Sequence, residues 1–93
     1  MQANLILAVN RALWGEVSRS VRSVLAKYDE KNITIRFVID GPISDDDRES
    51  AGDVAAEVIA EFPGYMIADE CIQLDAPNSI EREGWLTIFM RKE

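Results

Sequence analysis

Glu49, Asp53, Glu57 and Glu61 follow one another at intervals of four, with no basic residue on the same spacing. Acids gathered in this way can do three kinds of chemistry. A carboxylate pair can hydrolyse a glycosidic bond if the two groups flank it. Clustered oxygens can hold a hard cation. A charged row can recognise a cationic surface. Spacing alone does not reveal which acids converge, and nothing in this row favours a hydrolytic pair. Calcium is a poor fit to the neighbouring Asp40 and Asp45-Asp46-Asp47, because the alternating Asp/Asn spacing, central Gly and terminal Glu of the twelve-residue loop are missing. Helix capping accounts better for those aspartates.

Other catalytic chemistry is short of residue types. The chain has no histidine, and so lacks the commonest general base and metal ligand. Its one cysteine, Cys71, has no histidine to activate it, and no Ser-His-Asp arrangement can form. Gly15, Gly41, Gly52, Gly64 and Gly84 are scattered and make no phosphate-cradling loop. The expectation is a protein that is not an enzyme, with no catalytic residue, no cofactor and no metal. Cys71 reads as a small buried hydrophobe, and a single cysteine fits a reducing cytosol.

The acidic row belongs to an amphipathic helix over 45–62. Gly41-Pro42 stops the preceding element, and Ser44 is a suitable N-cap. Asp45, Asp46 and Asp47 lie at the positive end of the helix dipole. Pro63-Gly64 ends the run. Ala51, Val54, Ala55, Val58, Ile59 and Phe62 form the apolar stripe. Gly52, mid-helix, points to close approach by a neighbouring element. Like charges four apart cost about 0.2–0.5 kcal/mol per pair, and Glu57 and Glu61 lie near the negative end of the dipole. Two readings of the row stand: a solvated face, or a surface that meets a positively charged partner. Residues 40–75 hold eleven acids and one base, whereas the rest of the chain holds six acids and nine bases, so one segment carries the net charge of −7.

Around this helix the chain reads in order as helix, strand, strand, helix, strand, strand. Residues 3–14 have Leu5, Ile6, Val9, Ala12 and Leu13 at helical spacing, with Gly15 to end the helix and Trp14 at the edge of the core. Val21–Tyr28 suits either a helix or a strand. Strand is chosen because Ile33, Ile35, Phe37 and Ile39 alternate strictly in the next segment, which needs a hairpin partner across the turn 29–32. In Tyr65–Leu74, Met66, Ala68, Ile72 and Leu74 take one face and Asp69, Cys71 and Gln73 the other, with Glu70 breaking the pattern. A polar loop, 75–84, leads to a last strand over 85–90. The fold class expected is α+β: one domain over 1–93, a four-stranded, mainly antiparallel sheet with the helices packed on it. Its core should hold Ile33, Ile35, Phe37, Ile39, Val54, Val58, Ile59 and Phe62.

At 93 residues, 47% hydrophobic and 29% charged, the composition is that of a globular domain. The acidic balance argues against nucleic acid as a ligand, since phosphate affinity comes from Lys and Arg. No apolar run approaches the length of a membrane span, and the N-terminal MQANLILAVNRALW has no basic leader ahead of its apolar part. These features lead to the expectation of a cytoplasmic protein that binds no membrane.

Phe37-Val38-Ile39-Asp40-Gly41-Pro42-Ile43-Ser44-Asp45, Arg48-Glu49, the run Val54–Pro63 and the ending Arg91-Lys92-Glu93 resemble a group of small acidic bacterial immunity proteins of toxin–immunity systems, including those of contact-dependent growth inhibition. The resemblance covers about residues 33–75 plus the C-terminus. It implies a protein that binds and neutralises a cognate toxin domain. No binding residue can be carried over by position, because such proteins share a role more than a sequence. Many toxin domains are nucleases with basic clefts, which agrees with the charge reading. The partner-binding candidates are Asp46, Glu49, Asp53, Glu57, Asp69 and Glu70 for steering, with Tyr65 or Trp85 as the anchor. The alternative is a self-associating α+β module that forms a homodimer without a toxin partner.

Overall fold

A computed structural model describes all residues, 1–93, in six elements: α1 (Gln2–Ala12), β1 (Val21–Asp29), β2 (Asn32–Ile39), α2 (Asp45–Ile59), β3 (Met66–Gln73) and β4 (Leu86–Met90). α1 buries Leu5, Ala8, Val9 and Ala12, a row at helical spacing. β1 and β2 form a hairpin in which Asp29 faces Asn32 across the two-residue turn Glu30-Lys31, with Glu30 at φ 53°. α2 begins in a capping box. The Ser44 hydroxyl accepts from the Asp47 N–H at 3.0 Å, and the Asp47 carboxylate accepts from the Ser44 N–H at 3.1 Å.

The strand order is β3-β2-β1-β4. β1 pairs antiparallel with both β2 and β4, but β2 and β3 run parallel, so the sheet is mixed and not mainly antiparallel as expected. The cause lies in α2. Fifteen helical residues span about 22 Å, enough to carry the chain back along an eight-residue strand, so β3 starts at the same end as β2.

Register also corrects the faces of β3. Ile67, Asp69, Cys71 and Gln73 pair with Ile33, Ile35, Phe37 and Ile39 and share their face, the one covered by the helices. Met66, Ala68, Glu70 and Ile72 lie on the far face beside Asn32, Thr34, Arg36 and Val38. The more apolar set is therefore on the side away from the helices, and Met66 is 70% exposed. Edge strands tolerate this because half of their surroundings is solvent.

The helix-side core joins Val24, Ala26, Ile33, Ile35, Phe37 and Ile39 of the sheet to the buried rows of both helices and to Phe62. Ile59, expected in the core, is half-buried at its margin. Trp14, expected at the core edge, stands in solvent at 88% exposure. No atom lies within 4 Å of a Cβ built on Gly52, so nothing approaches closely there.

The far face is covered as well. Leu25 and Val38 are fully buried on it, and the segment 74–85 folds across. Arg82 donates to the Ser23 hydroxyl at 3.0 Å and to Thr87 at 3.1 Å, while the Trp85 ring takes Lys27 and Arg36 against it, each 4.4 Å from the ring centre. Double coverage explains why β1 does not alternate: Val21 to Ala26 are all buried.

Candidate functional site

The expected site centres on α2, and its local chemistry sorts the acids into two groups. Asp47 is buried by its capping role and also accepts from the Ser18 hydroxyl at 3.3 Å. Asp40 holds Arg91 at 3.0 Å and accepts from the Ala76 N–H at 3.3 Å. Asp75 accepts from the Gly41 N–H at 2.7 Å. Glu61 pairs with Arg11, and Glu70 with Arg36, each at 2.6 Å. By contrast, Asp45, Asp46, Glu49, Asp53, Glu57 and Asp69 are exposed and belong to no ion pair.

Helix geometry shapes the unpaired row. Four residues turn an α-helix through one full turn plus about 40°, so Glu49, Asp53 and Glu57 wind around α2 and do not run straight along it. The helix ends at Ile59, short of the expected 62, and Glu61 lies in the turn beyond it. The row ends on the flank beside α1, where Glu61 meets Arg11. Near the other end of α2, Ser18 meets Asp47, so the connection after α1 runs back along α2. At the Glu61 end Asn4, Leu7, Arg11, Glu61 and Phe62 line a shallow cleft of about 220 Å³.

The eight candidate residues do not form one surface. Asp46, Glu49, Asp53 and Glu57 lie on α2, and Asp69 is on the helix side of β3. Tyr65 follows the end of α2, where its ring meets Phe62 edge-to-face at 5.8 Å and Lys31 sits 4.7 Å above it. Glu70 and Trp85 are on the opposite face of the sheet, joined through Arg36. Both proposed anchors are thus already packed against cations of their own chain. The most exposed aromatic is Trp14, at 88% against 37% for Tyr28, and not at the core edge where the sequence reading sets it. A signal was present: Leu5, Ala8, Val9 and Ala12 complete the buried row of α1, so Leu7 and Trp14 are left over and fall seven apart on another face.

Two further groups bear on chemistry. Burial pushes the Cys71 thiol up from its ordinary value, and its Sγ lies 3.7 Å from the Asp47 carbonyl oxygen. A thiol held protonated and half-buried is a weak nucleophile. No three Asp, Glu or Cys side chains converge in a group that could hold a metal ion.

The terminal Arg91-Lys92-Glu93 has a structural task. Arg22, 3% exposed, forks onto Glu93 through Nε at 2.7 Å and Nη2 at 2.9 Å, and its Nη1 donates to the Leu74 carbonyl at 2.8 Å. Arg91 adds bonds to Asp40, Glu93 and the Arg19 carbonyl. The hydrogen bond from Arg22 holds the Glu93 carboxyl down at about 2, and the contact with Arg91 lowers Asp40.

No helix is long and apolar enough to cross a membrane. No curated protein matches the chain. A family model described as MafI2 immunity protein matches residues 2–93, and the chain belongs to that family.

Proposed function

We propose that the toxin neutralised by this immunity protein is a basic domain of the nuclease kind, bound at 1:1 through the acidic surface of α2 without any chemistry. Membership of an immunity-protein family implies a cognate toxin partner. One observation carries the finer reading: Glu49, Asp53 and Glu57 repel one another along an exposed helix, and no cation of the chain pairs with them. A basic cleft supplies the missing cations, and complementary fields speed the encounter. The cytoplasm, where a toxin made by the same cell would threaten it, is the compartment this role requires. A system of the contact-dependent growth-inhibition type is the setting in which such a pair would operate.

The test replaces Glu49, Asp53 and Glu57 together by Gln and measures association with the toxin domain encoded beside the chain. Association should slow by about tenfold at low salt, with a flatter dependence on ionic strength. Unchanged rates and unchanged salt dependence would reduce the row to a solvated face.

The second reading, a self-associating module, draws on β3. This edge strand exposes Met66 and Ala68 beside an unpaired backbone edge. Sedimentation at micromolar concentration separates the two: a stable dimer with α2 outside favours self-association.

A further inference from the structure

We infer that the anchor of the docking surface is the outer face of α1, where Trp14 and Leu7 receive the basic toxin domain while the α2 acids form its rim. The inference rests on the proposed basic partner and names the part of the surface that holds it.

α1 ends at Ala12, and the Trp14 N–H donates to the Arg11 carbonyl at 3.3 Å in the tighter turn that follows. A three-residue turn stacks Trp14 over Arg11, which is itself one helical turn on from Leu7, and Leu7 and Trp14 are 58% and 88% exposed. The neighbouring Leu13 is buried, so the chain reaches the core at this point yet leaves the larger side chain outside. The other candidate aromatics are occupied. Trp85 lies against Lys27 and Arg36, and Tyr65 against Phe62 and Lys31, whereas Trp14 takes part in no ring–ring or cation–ring contact. Binding energy concentrates in such aromatic side chains when a partner can desolvate them completely.

The surroundings match the layout of a recognition surface, an apolar centre with a polar rim. Leu7 and Phe62 supply the apolar wall of the cleft, and Asn4, Arg11 and Glu61 its polar wall. Glu57, in the last turn of α2, and Glu61, just past its end, approach this flank. Glu61 is already paired with Arg11, so a partner that inserts one side chain beside Leu7 brings its own Lys and Arg residues toward the unpaired Glu57. Charge also decides between occupants. Arg11 and Glu61 cancel at the cleft itself, and a symmetric contact wide enough to reach the unpaired Glu49, Asp53 and Glu57 would bring those acids of both copies together. A basic surface meets attraction at the same place.

The experiment uses the full chain and a catalytically inactive toxin domain encoded beside it, with melting temperatures recorded for every variant. Trp14→Ala should weaken binding by about 30-fold or more, chiefly through faster dissociation, with an unchanged melting temperature. Leu7→Ala should weaken it by about fivefold. Met66→Ala, on the far face, should leave it within about threefold. If Trp14→Ala lowers the melting temperature, Leu7→Lys carries the test, since a cation on that exposed face opposes a basic partner without entering the core. Binding of both α1 variants within about threefold of wild type overturns the α1 anchor, and the basic-partner reading survives if the α2 triple variant still slows association. Loss of binding in Trp14→Ala with no effect of the α2 triple variant supports the anchor and removes the basic-partner reading. A wild-type dimer that Trp14→Ala turns into a monomer assigns the face to a second copy and overturns the proposal.

Discussion

The corner around Arg22 and the outer face of α2 both hold several charged groups, but they treat them in opposite ways. At the corner, Arg22, Arg91, Asp40 and Glu93 are joined by ion pairs of 2.7–3.1 Å, and the guanidinium of Arg22 is shut off from solvent. On α2, Glu49, Asp53 and Glu57 stand in water without a cation. The first set ties the C-terminal residues to β1 and to the start of the 74–85 crossing. Charges that hold a fold are paired inside it, and charges left unpaired against their own repulsion are available to something else. The contrast makes α2 informative in a way that net charge alone is not.

The largest effect should come from the corner. Arg22→Ala removes a packed side chain, frees Glu93 and leaves the Leu74 carbonyl without its donor. Breaking a fully buried pair costs about 3–5 kcal/mol, and because Glu93 keeps some contact with water the loss here should be about 2–3 kcal/mol. Urea denaturation measures it. A loss within experimental error would place the corner among ordinary surface charges and end the contrast.

Acid should weaken the same corner selectively. The Glu93 carboxyl falls from 4.5 to about 2 on folding, because Arg22 donates to it, and contact with Arg91 lowers Asp40 as well. The folded chain thus binds these protons less readily than the unfolded chain, and stability declines as pH falls. The Glu93 contribution is fully present above about 4.5 and is lost as pH drops toward about 2. Glu93→Gln should therefore be less stable than wild type at neutral pH and lose less between those values. Denaturation curves across that window decide it, and parallel slopes for the two proteins would remove Glu93 as the cause.

Local patterns in the chain foretold local structure well. The Ser44–Asp47 capping box, the strict alternation of β2 and the apolar stripe of α2 each depend on neighbours within one or two turns, and each forms where those residues stand. What could not be read depends on partners far along the chain. The segment 74–85 covers the far face of β1, erasing the alternation that would have identified a strand. Glu70 looked like a free acid until the parallel register set it beside Arg36. Trp85 and Tyr65 were plausible anchors by residue type, but a cation resting on each ring is a tertiary fact. Trp14 was placed at the core edge beside the end of α1, although the buried row of α1 had no place for it.

The smallest effect, on stability, sharpens the contrast most. Replacing Glu49, Asp53 and Glu57 by Gln relieves two like-charge pairs in full, 49–53 and 53–57, each worth about 0.2–0.5 kcal/mol. The pair 57–61 adds little, since Arg11 already neutralises Glu61 in part. Glu49 and Asp53 lie beyond the first turn, but Glu57 is in the last turn of α2, so neutralising it also relieves its repulsion with the negative end of the helix dipole. The variant should therefore be more stable than wild type by about 0.4–1 kcal/mol from the like-charge pairs in dilute buffer, with about 0.3–1 kcal/mol more from the dipole. Most of that gain should vanish near 1 M salt, where the screening length shrinks to about 3 Å. A remainder of a few tenths should persist, because Gln favours helix over Asp at position 53. The corner and the helix would then respond with opposite sign to the loss of charge, destabilised in one and stabilised in the other. If the triple variant were instead less stable at every salt concentration, the α2 acids would have partners within the fold, and the surface offered to the toxin would have to be sought on α1 alone.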